Sequence, residues 1–138
     1  MRILALDVGT KRIGLALSDE LLITAQGLDS IYRKDLKTDL DAIAHLVKEN
    51  GVSEVVVGLP ISMDGTYSAK TKEVTVFIEE LAKAVDVPLK AWDERLTTVQ
   101  AERALLEADT SRARRKHLVD KLAAQLILQG YLDSRKKG

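Results

Sequence analysis

Three nearly continuous apolar runs, Ile3 to Val8, Ile13 to Ser18 and Val55-Val56-Val57, do most to restrict what this chain can fold into. A strand with one face in water alternates polar and apolar residues. A run without alternation, rich in branched aliphatics, belongs to a sheet covered on both faces. Gly9-Thr10-Lys11-Arg12 lies between the first two runs as a tight turn, so the pair is read as a hairpin. A third strand is expected within Thr24 to Tyr32, where the alternation is weaker.

Helical spacing takes over after Asp35, a capping residue. Leu36, Leu40, Ile43, Ala44 and Val47 recur on one face until Asn50-Gly51 stops the helix. Val74, Phe77, Ile78, Leu81 and Val85 mark a second helix over residues 68 to 85, and Leu89 to Trp92 reads as a short strand. Asp64 and Thr66 in the preceding loop are read as caps for that second helix. Thr97-Thr98-Val99-Gln100 opens a helix through about Glu107, broken at Ala108 to Ser111, and a last helix runs from Arg114 to Leu132. Its apolar stripe is read as Leu118, Val119, Leu122, Ala123, Leu126 and Ile127, with Asp120 on the margin.

A three-strand antiparallel meander followed by alternating helices and strands gives an α/β fold. Right-handed crossovers make the later strands parallel to the first, in a mixed sheet with helices on both faces. The 138 residues fit one domain over 1–138, and 46% hydrophobic with 30% charged residues excludes a disordered chain. No apolar run approaches membrane-spanning length, and Asp7 comes too early for a signal-peptide core, so a cytoplasmic protein is expected.

Cysteine is absent, which excludes disulfides, thiolate metal sites and cysteine nucleophiles. The two histidines, His45 and His117, are not at ligand spacing and read as ordinary helix residues. Chemistry must therefore come from oxygen. Asp7 sits near the end of a run that predicts a buried central strand, and a buried unpaired carboxylate needs a metal, a cation or an opening to water. Asp93-Glu94 follows the Leu89 to Trp92 strand at the carboxyl end, where open α/β sheets place their binding crevices. Adjacent acids in an extended segment point to opposite sides, so one of them can share a site with Asp7.

Each acid alone also admits a plain structural role. Asp7 can cap the Gly9-Thr10 turn, Asp93-Glu94 can be an acidic loop paired with Arg95, and Asp120 can pair with Lys116 or Lys121. Together, the acids offer the oxygen ligands that a hard dication, Mg2+ or Mn2+, prefers. Two such ions about 4 Å apart activate water and stabilise the leaving oxygen in phosphodiester hydrolysis.

Four stretches carry a family resemblance: Leu4 to Gly14, Val56 to Pro60 with Met63-Asp64-Gly65-Thr66, Trp92 to Thr98, and Val119-Asp120 with Ala123-Ala124 and Ile127-Leu128-Gln129. Together they resemble the YqgF family, also called RuvX, across essentially the whole chain. The resemblance implies a ribonuclease H-like fold related to RuvC Holliday-junction resolvases, with a five-stranded mixed sheet and a divalent-metal carboxylate site. Members are assigned to maturing the 5′ end of the pre-16S ribosomal RNA, and some to cutting Holliday junctions. Position by position, the resemblance makes Asp7, Glu94 and Asp120 the catalytic and metal-holding acids, with Asp93 as the alternative to Glu94.

Twenty-one basic residues balance twenty-one acidic ones, so net charge does not announce a nucleic-acid partner; clustering does. Lys11 and Arg12 at the first turn, Arg95 beside Glu94, and Arg112, Arg114, Arg115 and Lys116 ahead of the last helix are the candidate phosphate contacts. Trp92 and Tyr131 are read as core rather than stacking platforms. The expected partner is pre-16S rRNA or branched DNA, handled by a monomer or a homodimer. A non-catalytic RNA-binding module on the same fold is the alternative, and Asp7-Val8-Gly9-Thr10 also resembles the first phosphate loop of actin-like ATPases.

Overall fold

The structure, a computed structural model, describes residues 1–62, 64–93 and 112–137, and within the last stretch the side chains of residues 121–135. The helix expected from Thr97 to Glu107 and the break after it lie outside the described residues.

Five strands form one sheet in the order β3-β2-β1-β4-β5. They are β1 (Arg2–Val8), β2 (Arg12–Ser18), β3 (Ala25–Tyr32), β4 (Val52–Leu59) and β5 (Leu89–Asp93). β1, β2 and β3 make the antiparallel meander, while β4 pairs parallel with β1 and β5 parallel with β4. Helices α1 (Leu36–Glu49), α2 (Ala69–Ala84) and α3 (Arg112–Lys137) complete the described architecture.

The unalternated runs divide between two cores, as a sheet covered on both faces requires. Leu4, Leu6, Val8, Ile13, Leu15, Val55, Val57 and Leu59 pack with Ile43 and Val47 of α1 and Val74, Phe77 and Leu81 of α2. The intervening residues Ile3, Ala5, Ala16 and Val56 meet Ala124, Ile127, Leu128 and Leu132 of α3 on the other face. The small Ala5 and Ala16 under Ala124 let α3 lie close to the sheet. Gly27 does the same on β3, where a Cβ would stand 2.7 Å from Lys121 Cγ and 3.2 Å from the Lys121 carbonyl oxygen.

Two sequence expectations need correction. The buried line of α3 is Ala123, Ala124, Ile127, Leu128 and Leu132, whereas Leu122 and Leu126 are only half-buried. The helix is thus rotated so that Ala123 and Ala124, rather than Leu122 and Leu126, face the sheet in its middle turns, because they permit the closer approach. The cap of α2 is Ser68, not Asp64 or Thr66: the Ser68 hydroxyl accepts from Thr71 N, and the Thr71 hydroxyl accepts from Ser68 N. Asp64 instead closes its own turn by accepting from the amide and hydroxyl of Thr66. Asp35 caps α1 as expected, accepting from Thr38 N at 2.8 Å. No helix among the described residues is long and apolar enough to cross a membrane.

Candidate active site

Asp7 follows Ile3 and Ala5 in the alternation of β1, so it stands on the α3 side of the central strand, two residues beyond Ala5. Both lateral neighbours are glycines. Asp7 pairs with Gly14 of β2, and one step past the Leu6 and Val57 pair it adjoins Gly58 of β4, which in turn pairs with Trp92 of β5. The carboxylate thus stands between two residues that carry no side chain of their own. On β3, Asp29 and Ser30 both lie opposite Gly14, where the register shifts between Ile13 and Leu15. This bulge bends the sheet edge next to the Asp7 row.

Asp93 ends β5, one residue past Trp92. Trp92 packs with the α3 core and Leu89 with the α1–α2 core, so strand parity puts Asp93 on the face away from Asp7. Glu94 and Arg95 lie outside the described residues. On α3, position 120 lies four residues before buried Ala124 and seven before buried Ile127, on the line that faces the sheet. The side chains of Asp120, Arg112, Arg114, Arg115 and Lys116 lie outside the described ones. Among the described residues, no group of three or more His, Asp or Glu side chains is placed to hold a metal ion.

The direction of α3 follows from its polar contacts. Gln129 Nε2 donates to the Ile23 carbonyl, Gln125 Nε2 donates to the Ala25 carbonyl, and Lys121 lies on Gly27 with its Nζ 3.7 Å from Asp29. Stepping back along the helix therefore steps forward along β3, which runs parallel to β1. The amino-terminal turns of α3 head for the same sheet edge as Asp7.

The Gly9-to-Arg12 turn beyond Asp7 is tightly built. Gly9 N donates to the Arg12 carbonyl at 2.8 Å, and a Cβ on Gly9 would stand 2.6 Å from that oxygen, so close approach rather than unusual backbone angles requires glycine here. Lys11 is exposed and Arg12 half-buried.

Arg33, absent from the sequence expectations, clamps this turn from behind. Its backbone N donates to the Lys11 carbonyl, its guanidinium donates to the Gly9 carbonyl at 3.0 Å and to Asp39 Oδ2 at 3.2 Å, and it lies over the Phe77 ring. Asp39 is 2% exposed and also accepts from Lys34 N. One sequence signal was available: Asp39 lies four residues before Ile43 and eight before Val47, so it interrupts the apolar face of α1, and a carboxylate at such a position needs a cation. Gly14 and Gly58 carried a similar signal, as glycines inside apolar strands.

Trp92 and Tyr131 meet edge to face at 5.8 Å between ring centroids beside the α3 core, as expected of packing residues. The Tyr131 hydroxyl donates to Glu54, which also pairs with Arg135 at 3.2 Å. Burial, and then the bond to Glu54, raise the Tyr131 phenol above its ordinary value. His45 pairs with Glu49 on the exposed side of α1.

A meander extended by parallel strands, helices on both faces and an acid at the carboxyl end of the central strand define a protein of the ribonuclease H-like class. The fold matches that of Thermus thermophilus RuvC in complex with a Holliday junction substrate, at a TM-score of 0.59 over 99% of this chain and 96% of that one, with 17% identity. It also matches the fowlpox virus resolvase in complex with Holliday junction DNA, at a TM-score of 0.58 and 13% identity, over 98% of this chain and 99% of the other.

Within that class the chain belongs to the RuvX family, described as Holliday junction resolvase, whose sequence profile matches residues 1–134. Its relatives include a protein of Desulforamulus reducens, 50% identical over 137 residues and covering 99% of this chain and 100% of the relative. A protein of Moorella thermoacetica is 54% identical over 133 residues, covering 96% and 95%. Both are named "Putative pre-16S rRNA nuclease".

Proposed function

We propose that this chain is a cytoplasmic, divalent-metal-dependent endonuclease that hydrolyses phosphodiester bonds in structured nucleic acid, acting in maturation of the 5′ end of pre-16S rRNA. The observation that carries the reading is Asp7 standing between Gly14 and Gly58 at the open end of the central strand, in a chain whose relatives bear the nuclease name along their whole length.

Asp7, Glu94 and Asp120 are the proposed metal-holding acids. Two structural features support this set. Strand parity turns Asp93 away from the Asp7 face, which favours Glu94, and position 120 falls on the sheet-facing line of a helix directed toward the Asp7 edge. The donor set is all oxygen, as Mg2+ or Mn2+ requires. The bound dications would supply an activated water and charge neutralisation at the phosphorus. The chain's own contribution is to fix the acids on rigid elements, to hold the Gly9 turn by Arg33, and to grip flanking phosphates through Lys11, Arg12, Arg95, Arg112, Arg114, Arg115 and Lys116.

A four-way DNA junction is the second reading, favoured by the family's description. Symmetric junction cutting takes two sites and hence a homodimer, whereas trimming a precursor end takes one, so a monomer suffices. The test is a cleavage assay with Mg2+ or Mn2+ on a pre-16S precursor and on a four-way junction, comparing wild type with Asp7→Asn. The expected result is metal-dependent cutting of the precursor, abolished in Asp7→Asn while salt-sensitive binding persists. Cutting by Asp7→Asn at the wild-type rate refutes the assigned chemistry, and junction cutting alone moves the substrate to DNA.

A further inference from the structure

Tyr32 is an aromatic residue with no core to serve. It ends β3, is 67% exposed, and lies in cross-strand register with Arg12 of β2. Ile31, one residue before Tyr32, and Ile13, one residue after Arg12, form the next cross-strand pair and pack into the α1–α2 core. Alternation therefore sends Tyr32 and Arg12 to the opposite face, the face on which Asp7 stands. Directly opposed residues of an antiparallel pair hold their Cβ atoms about 5 Å apart, so the ring and the Arg12 stem are side by side.

Four cations lie close along the chain. Lys11 precedes Arg12 in the exposed turn, and Lys34 and Lys37 follow Tyr32. Among the described residues, Asp39 is buried against Arg33 and the Lys34 amide, and Asp35 accepts from the amide and hydroxyl of Thr38. Binding of Arg33 N to the Lys11 carbonyl and of the Arg33 guanidinium to the Gly9 carbonyl fixes the two segments to each other. The result is an exposed aromatic ring beside the Lys11-Arg12 turn, on a strand end that Arg33 ties to that turn. Other exposed aromatic positions lack this setting: Tyr67, 57% exposed, sits in the loop before α2 next to Asp64 and Lys70.

We propose that Tyr32, with Lys11, Arg12 and Lys34, is a platform that stacks an unpaired base of the substrate and holds the phosphates on either side of it. Tyr32 is two strands across from Asp7 and about two residues further along, which at about 4.8 Å per strand and 3.3 Å per residue is about 12 Å. That distance corresponds to three or four stacked nucleotides at about 3.4 Å each. The substrate class that fits is a strand left single on one side of the cut. The proposal rests on the nuclease reading for the role of Asp7, but the platform itself is a binding surface and is tested by binding.

The experiment uses the full chain in a metal-free buffer, so that nothing is cut. It measures binding of short single-stranded oligoribonucleotides and oligodeoxyribonucleotides, each with one 2-aminopurine. Stacking on an aromatic platform makes Tyr32→Ala weaken binding about tenfold or more and removes the change in 2-aminopurine emission seen with wild type. Tyr32→Phe retains both, and Tyr67→Ala is neutral. Tyr32→Ala leaves the salt dependence of binding intact, whereas Lys11→Ala and Lys34→Ala each lower its slope by about one. Tyr32→Leu, which keeps apolar bulk at the strand end, replaces Tyr32→Ala if the latter unfolds.

Wild-type binding and wild-type emission in Tyr32→Ala or Tyr32→Leu overturn the platform. Loss with only one sugar type identifies the strand that it reads. If wild type fails to cleave with Mn2+ while the Tyr32 dependence persists, the nuclease reading falls and the platform stands. If wild type cleaves and the Tyr32 variants bind normally, the platform alone falls.

Discussion

Arg33 shows how one side chain links the core to the edge where Asp7 stands. Its guanidinium reaches Gly9 on one side and Asp39 on the other while resting on Phe77. Asp39 is buried, so removing its carboxylate strands a cation and leaves the Lys34 amide without its acceptor. Asp39→Ala is expected to destabilise the protein by about 2–4 kcal/mol. Urea titration checks this as a lower midpoint at unchanged slope. Asp39→Asn, which keeps an oxygen for Lys34 N, is expected to cost less, and equal losses in the two variants would show that charge contributes nothing here.

At the scale of elements, α3 stays close to the sheet only because small residues line the contact. Gly27→Ala places a methyl group against the Lys121 backbone and Cγ, so the helix must lift. A loss of about 1–3 kcal/mol is expected, read as a lowered thermal midpoint. The same contact explains what the sequence could and could not disclose. The strands were legible because β-branched runs without alternation have one place to go, and α1 and α2 were legible from apolar spacing and the Asp35 cap. The rotation of α3 was not, because Leu122 and Leu126 on one side and Ala124, Leu128 and Leu132 on the other offer two apolar faces. Only the alanines of β1 and β2 opposite it decide between them. The α2 cap was misplaced for a related reason: Asp64, Thr66 and Ser68 are all capping types, and the choice depends on where Pro60 delivers the chain, since the Thr71 hydroxyl also donates to the Pro60 carbonyl. Of the candidate site, Asp7 was legible as a charge in a buried strand. The flanking glycines, the Arg33 clamp and the exposure of Tyr32 depend on register and parity, which single segments do not specify.

For the whole molecule, the perturbed titrations define a stability plateau. Asp19 is held below its ordinary value of 3.8 by the amides of Thr24 and Ile23, Asp35 by the amide and hydroxyl of Thr38, and Asp64 by the hydroxyl and amide of Thr66. Their folded-state values lie below the unfolded ones, so these contributions are complete above about pH 4 and are lost as pH falls through the folded values. Tyr131 is raised above 10.0, so its contribution is complete below that pH and is lost as pH rises through the folded value. Thermal midpoints measured across pH should be flat between these limits and fall on both flanks. Tyr131→Phe should flatten the alkaline flank, and an unchanged flank would remove Tyr131 from the account.

The proposed chemistry depends on Asp7, Glu94 and Asp120 meeting at one end of the sheet around hard dications. Anomalous scattering from crystals soaked in Mn2+ tests this most directly. The predicted result is manganese at the Asp7 edge, within about 2.0–2.4 Å of carboxylate oxygens from all three acids. Manganese bound elsewhere, or Asp7 coordinated without Glu94 and Asp120, would contradict it.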